Sequence, residues 1–176
     1  HYPLRRQRQM CIRERVDPFG DFVSQFSPLY PPQRTDTSYG VRQLSSSPGS
    51  VTQPSSREFF ATPTPHTFNG TGLAGIVPAP TFSLPGGVYS SSLPVGIEAA
   101  PGSTAFYTLD GSEPGESSPM VPETLFMPTT TTELRVKAFQ PGLWPSNTVS
   151  HGFVQIDADL HTFETNLPIV MIDTFG

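Results

Sequence analysis

The 176-residue chain holds a single cysteine, Cys11, a single tryptophan, Trp144, and charged side chains at only 14% of its positions. One cysteine excludes an internal disulfide and a thiolate metal centre. No apolar run approaches the ~18 residues a membrane-spanning helix requires, and no apolar signal-peptide segment follows the basic start. The histidines, His1, His66, His151 and His161, share no metal-ligand spacing, and no G-x-S-x-G elbow frames a nucleophilic serine. What the chain has in excess is 21 Pro and 15 Gly, about a fifth of its length against roughly an eighth in an average protein. Long helices are therefore excluded. Thr, Val, Phe and Tyr are well represented, which suits short strands joined by turns, so an all-β protein is expected.

Charge is unevenly placed. Residues 1–15 carry five Arg against Glu14, a charge of +4, so a chain of net charge −5 leaves −9 on residues 16–176. An acidic body lacks the basic footprint that nucleic acid requires. The basic head, HYPLRRQRQMCIRER, resembles translated sequencing-adapter read-through and is expected to be a non-native tail over residues 1–15. Cys11 belongs to it, so the body is cysteine-free.

Residues 16–71 contain the β-like runs FVSQF and REFFA, separated by proline- and serine-rich stretches; Pro31 and Pro32 exclude a central strand between them. SPLYPPQRTDTSYGV followed by REFFATPTPHTFNG resembles the last strands of a bacterial lamin-tail domain, which implies a partial immunoglobulin-like β domain. His66 and Thr67 stand where that pattern has Gly-Ala. Residues 72–79, small and rich in Gly and Pro, read as a linker. Asn69-Gly70-Thr71 matches a glycosylation sequon and is read as a turn, since Asn-Gly favours one.

From Thr81 the alternation sharpens. Leu93, Val95, Ile97 and Ala99 share one face, as do Ala105, Tyr107 and Leu109, and as do Leu134, Val136 and Ala138, a period of two that marks half-buried strands. Phe106, Phe139, Arg135 and Lys137 are expected on the opposite faces, a short pairing is expected in TLFM (124–127), and His151 reads as a surface or edge residue. About seven short antiparallel strands with turns every 8–12 residues make an immunoglobulin-like β-sandwich, with an incomplete second β domain on its N-terminal side.

Residues 80–156 carry FSLPGGVYSSSLPVGIEAAPGSTAFYTLDGSEP, then TTTTELRVKAF and LWPSNTVSHGFV. These resemble the chitobiase/hexosaminidase C-terminal domain, also called the fibronectin-type-III-associated repeat, a small sandwich appended to many glycoside hydrolases. The match departs at Ala105 and Phe106, where the family has a bulky aliphatic and then a polar residue. The resemblance implies a non-catalytic module in which Y-T-L-D-G-S-x-P is a structural corner. The residue chemistry agrees: Asp110 can accept backbone amides, Gly111 supplies positive φ, Ser112 adds a bond, and Pro114 ends ladder pairing. Residues 157–176 form a linker and the start of a following domain, where F-x-x-NLPIV-x-x-DTFG resembles the beginning of a CotH-type kinase-like region without its catalytic motifs.

The carboxylates of DGSEPGE invite two other readings. Calcium takes 6–8 oxygens, and Asp110, Glu113 and Glu116 lack the spacing of a dedicated loop. A glycosidase pair needs a cleft and opposed pKa values, which a sandwich corner seldom supplies. Turn chemistry is the reading adopted, with no catalytic residue, no metal and no cofactor. Carbohydrate contact through Phe106, Phe139 and Trp144 is the alternative, because exposed aromatic rings mark binding surfaces; Trp144 can equally plug the end of the sandwich. A domain of 77 residues buries only about 60% of its unfolded surface. Neighbouring domains of the same chain are thus the first partners expected, and a polysaccharide or cell-surface ligand the second. The expected setting is a secreted or surface-bound bacterial protein whose signal peptide lies outside this sequence.

Overall fold

A computed structural model describes residues 14–26, 31–42, 56–91, 94–122, 130–156, 160, 162, 164–166 and 170. Cys11, Leu93, the 124–127 pairing, His161 and, apart from Val170, the apolar run 167–172 lie outside them. The described residues contain no α-helix, and none is long and apolar enough to cross a membrane. The chain divides into two compact units, His1–Ser38 with Ala61–Pro63, and Tyr39–Phe60 with Thr64–Gly176.

In the first unit, β1 (Glu14–Val16) and β2 (Phe22–Gln25) pair antiparallel. Asp17 makes the turn: its Oδ1 accepts from the amides of Phe19 and Asp21, both at 2.9 Å, as short acidic side chains do in Asx turns. The pairing includes Glu14 and Arg15, the end of the stretch expected to be non-native.

The second unit begins at Tyr39, within β3 (Ser38–Val41), which pairs with β4 (Arg57–Phe60). Asn69 pins the following loop to β3, donating from Nδ2 to the Val41 carbonyl at 2.9 Å while Oδ1 accepts from Thr64 Oγ1 at 2.6 Å. The sequon asparagine is thus held on both sides of its amide. His66, at the position where the lamin-tail pattern has glycine, adopts φ +62°, a left-handed conformation that glycine enters without steric cost.

The sandwich follows: β5 (Thr81–Phe82), β6 (Gly87–Tyr89), β7 (Ile97–Glu98), β8 (Thr104–Thr108), β9 (Thr132–Phe139) and β10 (Val149–Gln155). One sheet is β5-β7; the other runs β6-β10-β9-β8. The sandwich has six strands among the described residues, and one pair, β6 with β10, is parallel where an antiparallel arrangement is expected. A further strip, Pro119–Val121, runs along β8: Tyr107 N donates to Pro119 O and Val121 N to Ala105 O, each at 2.9 Å.

β9 shows why the pattern folds as it does. Leu134, Val136 and Ala138 have 0% exposure, and with Val95, Ala105 and Phe153 they close the core, packed by Phe82, Leu84, Tyr89, Ile97, Ala99, Tyr107 and Val121. Each fully buried aliphatic side chain contributes about 1.5–3 kcal/mol. Two expectations are corrected. Leu109, expected on the same face as Ala105 and Tyr107, is 43% exposed, because β8 ends at Thr108 and the chain has already turned. His151, expected at the surface or an edge, is paired by the β10 register with Leu134, which sends its ring inward to stack on Phe82 at 4.3 Å.

The stretch read as a linker is docked within the second unit. Phe59 and Leu73 exchange backbone hydrogen bonds at 2.8 and 2.9 Å. Trp144 N donates to Gly75 O and Val77 N to Trp144 O, both at 2.9 Å, and the indole Nε1 donates to Phe59 O at 3.3 Å. Val77 is buried. Buried Glu58 accepts the Gly72 amide at 2.7 Å. A Cβ on Gly72 would lie 2.5 Å from the Phe59 carbonyl oxygen, closer than packed atoms approach. Gly72→Val is therefore expected to displace that carbonyl, costing about 1–3 kcal/mol and shifting the emission of the sole tryptophan to the red. Unchanged emission and an unchanged unfolding midpoint would refute the close approach.

Candidate functional site

The knuckle after β8 is built from its own residues. Asp110 Oδ1 accepts from the Ser112 amide at 3.0 Å and from Ser112 Oγ at 2.6 Å. Gly111 takes φ +76°, and Thr108 Oγ1 donates to Ser112 O at 2.6 Å. Pro114 is fully buried at the corner. Asp110 also forms a parallel bridge with Glu133 on β9, and Arg135 Nη1 donates to Gly111 O at 2.6 Å. The loop is thereby tied to the sheet from which it left.

Glu113 faces different partners. Arg135 Nη2 reaches its Oε2 at 3.0 Å, Lys137 Nζ its Oε1 at 2.7 Å, and Thr148 Oγ1 donates to the same Oε1. The Ser112 hydroxyl, followed by its amide, lowers the pKa of Asp110. The Lys137 ammonium, followed by the Thr148 hydroxyl, lowers that of Glu113 against a small opposing effect of burial. Both carboxyls are held ionised. A glycosidase corner needs the reverse at one of its two carboxyls, a proton retained for the leaving group. Among the described residues no group of three or more His, Cys, Asp or Glu could hold a metal ion.

A lowered pKa in the folded state stabilises above the ordinary carboxylate range, and that contribution disappears as pH falls through the folded value. Glu113→Gln is accordingly expected to destabilise at pH 7 by no more than about 1 kcal/mol, because the carboxylate is half exposed and exposed ion pairs are screened. Below the folded-state pKa, itself under the usual value of about 4.3, the gap between variant and wild type should close. Urea unfolding at neutral and acid pH measures it; a gap of the same size at both would mean that the pairing contributes nothing.

Of the three aromatic residues singled out, the structure brings two together. The register pairs Phe106 with Lys137, placing it on the outer face, where its ring meets Phe139 edge-on at 5.6 Å. Lys137 Nζ lies 5.9 Å from the Phe139 centroid, and Met120, 63% exposed, bridges to Phe106. Trp144 is used elsewhere, in the contacts to Phe59, Gly75 and Val77. Sequence reasoning missed Ser146, fully buried, and the Gly72–Glu58 contact. Neither leaves a periodic signal, since each acts on backbone groups of a distant segment.

A two-sheet core over β5–β10 and a D-G-S knuckle tied to β9 are the features against which known families can be compared. Residues 84–150 match the chitobiase/beta-hexosaminidase C-terminal domain. That domain is a non-catalytic β-sandwich module that accompanies glycoside hydrolases. The match covers the stretch from Leu84, ahead of β6, to Ser150 in β10, within the boundaries expected from sequence. No curated protein and no solved structure matches the chain.

Proposed function

We propose that residues 80–156 form a spacer that holds and presents neighbouring domains in a large, secreted or surface-bound bacterial protein, without catalysis of their own. The observation that carries this reading is the occupancy of the knuckle. Asp110 is satisfied by Ser112, and Glu113 by Arg135, Lys137 and Thr148, so the carboxylates serve the backbone and the sheet. In the same reading residues 16–71 end a lamin-tail-like domain and residues 157–176 lead into a CotH-type kinase-like region, where an activity of the parent protein would reside.

A second reading, a carbohydrate-binding accessory module, is favoured by the Phe106–Phe139 pair with Met120 and Lys137 beside it. Rings and an adjacent cation suit the CH faces and hydroxyls of a sugar. The full chain passed over a broad glycan array separates the two. Spacing predicts retention on none, whereas retention lost in Phe106→Ala would establish the accessory module. Reproducible glycosidase or phosphoryl-transfer turnover by the purified chain would overturn both.

A further inference from the structure

The geometry points to a mechanical role for the sandwich: β6 and β10, the first and last strands in chain order of its four-stranded sheet, form a clamp that resists tension along the chain in shear. β6 and β10 run parallel, with Gly87 opposite Phe153, Val88 opposite Val154 and Tyr89 opposite Gln155. The chain arrives at the Gly87 end of β6 and leaves at the Gln155 end of β10. Once the two-residue β5 has let go of β7, tension on the two flanks drags these strands in opposite directions along a shared axis. The hydrogen bonds of a parallel ladder then bear the load together, whereas antiparallel partners pulled from one end open bond by bond.

A second parallel contact lies upstream. Ile76 bridges Trp144 in the same sense, through Val77 N to Trp144 O and Trp144 N to Gly75 O, both at 2.9 Å. Tension entering before Val77 is thus shared between the 144 turn and β10. The exit is reinforced as well: Ile156 N donates to Tyr89 O at 3.2 Å, and Gln155 N to Thr131 Oγ1 at 3.0 Å on the β9 side. Buried Phe153 stacks on Tyr89 at 5.9 Å. At the start of the clamp the two backbone segments nearly touch, since a Cβ on Gly86 would lie 2.8 Å from the Gly152 carbonyl oxygen. This role deepens the spacer reading and rests on it, because a spacer between anchored domains is the element that tension loads.

Forced unfolding reads the unfolding barrier directly, so single-molecule pulling of the full chain tests the clamp. In one geometry the handles are at the two termini. In the other, Cys11→Ser chains carry handles at Ser103→Cys and Gln140→Cys, next to the register partners Thr104 and Phe139, so that β8 and β9 peel. End-to-end pulling is expected to show one event at several-fold higher force than peeling, releasing about 240 Å, the extended length of residues 87–155. Gly86→Val should lower the end-to-end force and leave the peeling force unchanged. Equal forces in the two directions would overturn the clamp while leaving a low-force spacer in place. Glycan retention by a chain that keeps its high-force event would displace the spacer reading and support the clamp. Should Gly86→Val fail to fold, the two pulling directions on the otherwise unaltered sandwich decide alone.

Discussion

Leu134→Ala is expected to lower the unfolding free energy of the sandwich by about 2–5 kcal/mol, the range for removing a buried leucine side chain and leaving a cavity. Leu134 has 0% exposure at the middle of β9 and belongs to the buried cluster with Val95, Ala105, Val136 and Phe153. A domain of this size has a small total from which to lose: native stabilities run to only about 5–15 kcal/mol. With each kcal/mol worth about 4–8 °C at the midpoint in small domains, a fall of more than about 10 °C should be seen by thermal unfolding of the full chain. Leu109→Ala is the matched control, since that side chain is exposed and its loss should stay within about 0.5 kcal/mol. Equal midpoints for the two variants would mean that the inward face of β9 has been misassigned.

Ser146→Ala should cost about 1–3 kcal/mol, the penalty for stranding a buried donor. Ser146 Oγ accepts the Ala138 amide at 2.9 Å and donates to the Asn147 carbonyl at 2.9 Å, while its own amide donates to Ala138 O at 2.9 Å. The hydroxyl thus completes the ladder where β9 runs past the start of β10. Amide hydrogen exchange offers a local readout. The Ala138 amide should be protected in the wild type and exchange faster in Ser146→Ala than the general loss of stability accounts for. Protection at Ala138 that falls only in step with its neighbours would remove the hydroxyl from this role.

Much of the sandwich was legible because a strand writes its two faces into alternate positions. Leu134, Val136 and Ala138 could be assigned inward from spacing alone, and so could Val95 and Ile97. The knuckle was legible for a related reason: Asp110, Gly111 and Ser112 interact over two residues, a distance that local chemistry spans. His151 was not, since period two leaves open which face is inner until a partner strand fixes the register. The parallel sense of β6 and β10 was equally hidden, because only distant pairing defines it. The docked stretch 72–79 escaped for another cause. Its attachments are backbone hydrogen bonds of Leu73, Gly75 and Val77, and backbone bonding has no residue signature, so small residues with two glycines and a proline read as a free connector. In the candidate site, the inclusion of Trp144 with Phe106 and Phe139 followed from its aromatic type. Its placement against Phe59 joins residues 85 positions apart, a relation that no local pattern reports.

With Pro119–Val121 lying along β8, the Tyr107 amide and the Ala105 carbonyl on that flank are answered from within the molecule. Unsatisfied outer strands are the rails on which neighbouring molecules add one another. A second copy approaching β8 on that side finds the Tyr107 amide and the Ala105 carbonyl already taken, which removes two of the groups it would need to extend the sheet.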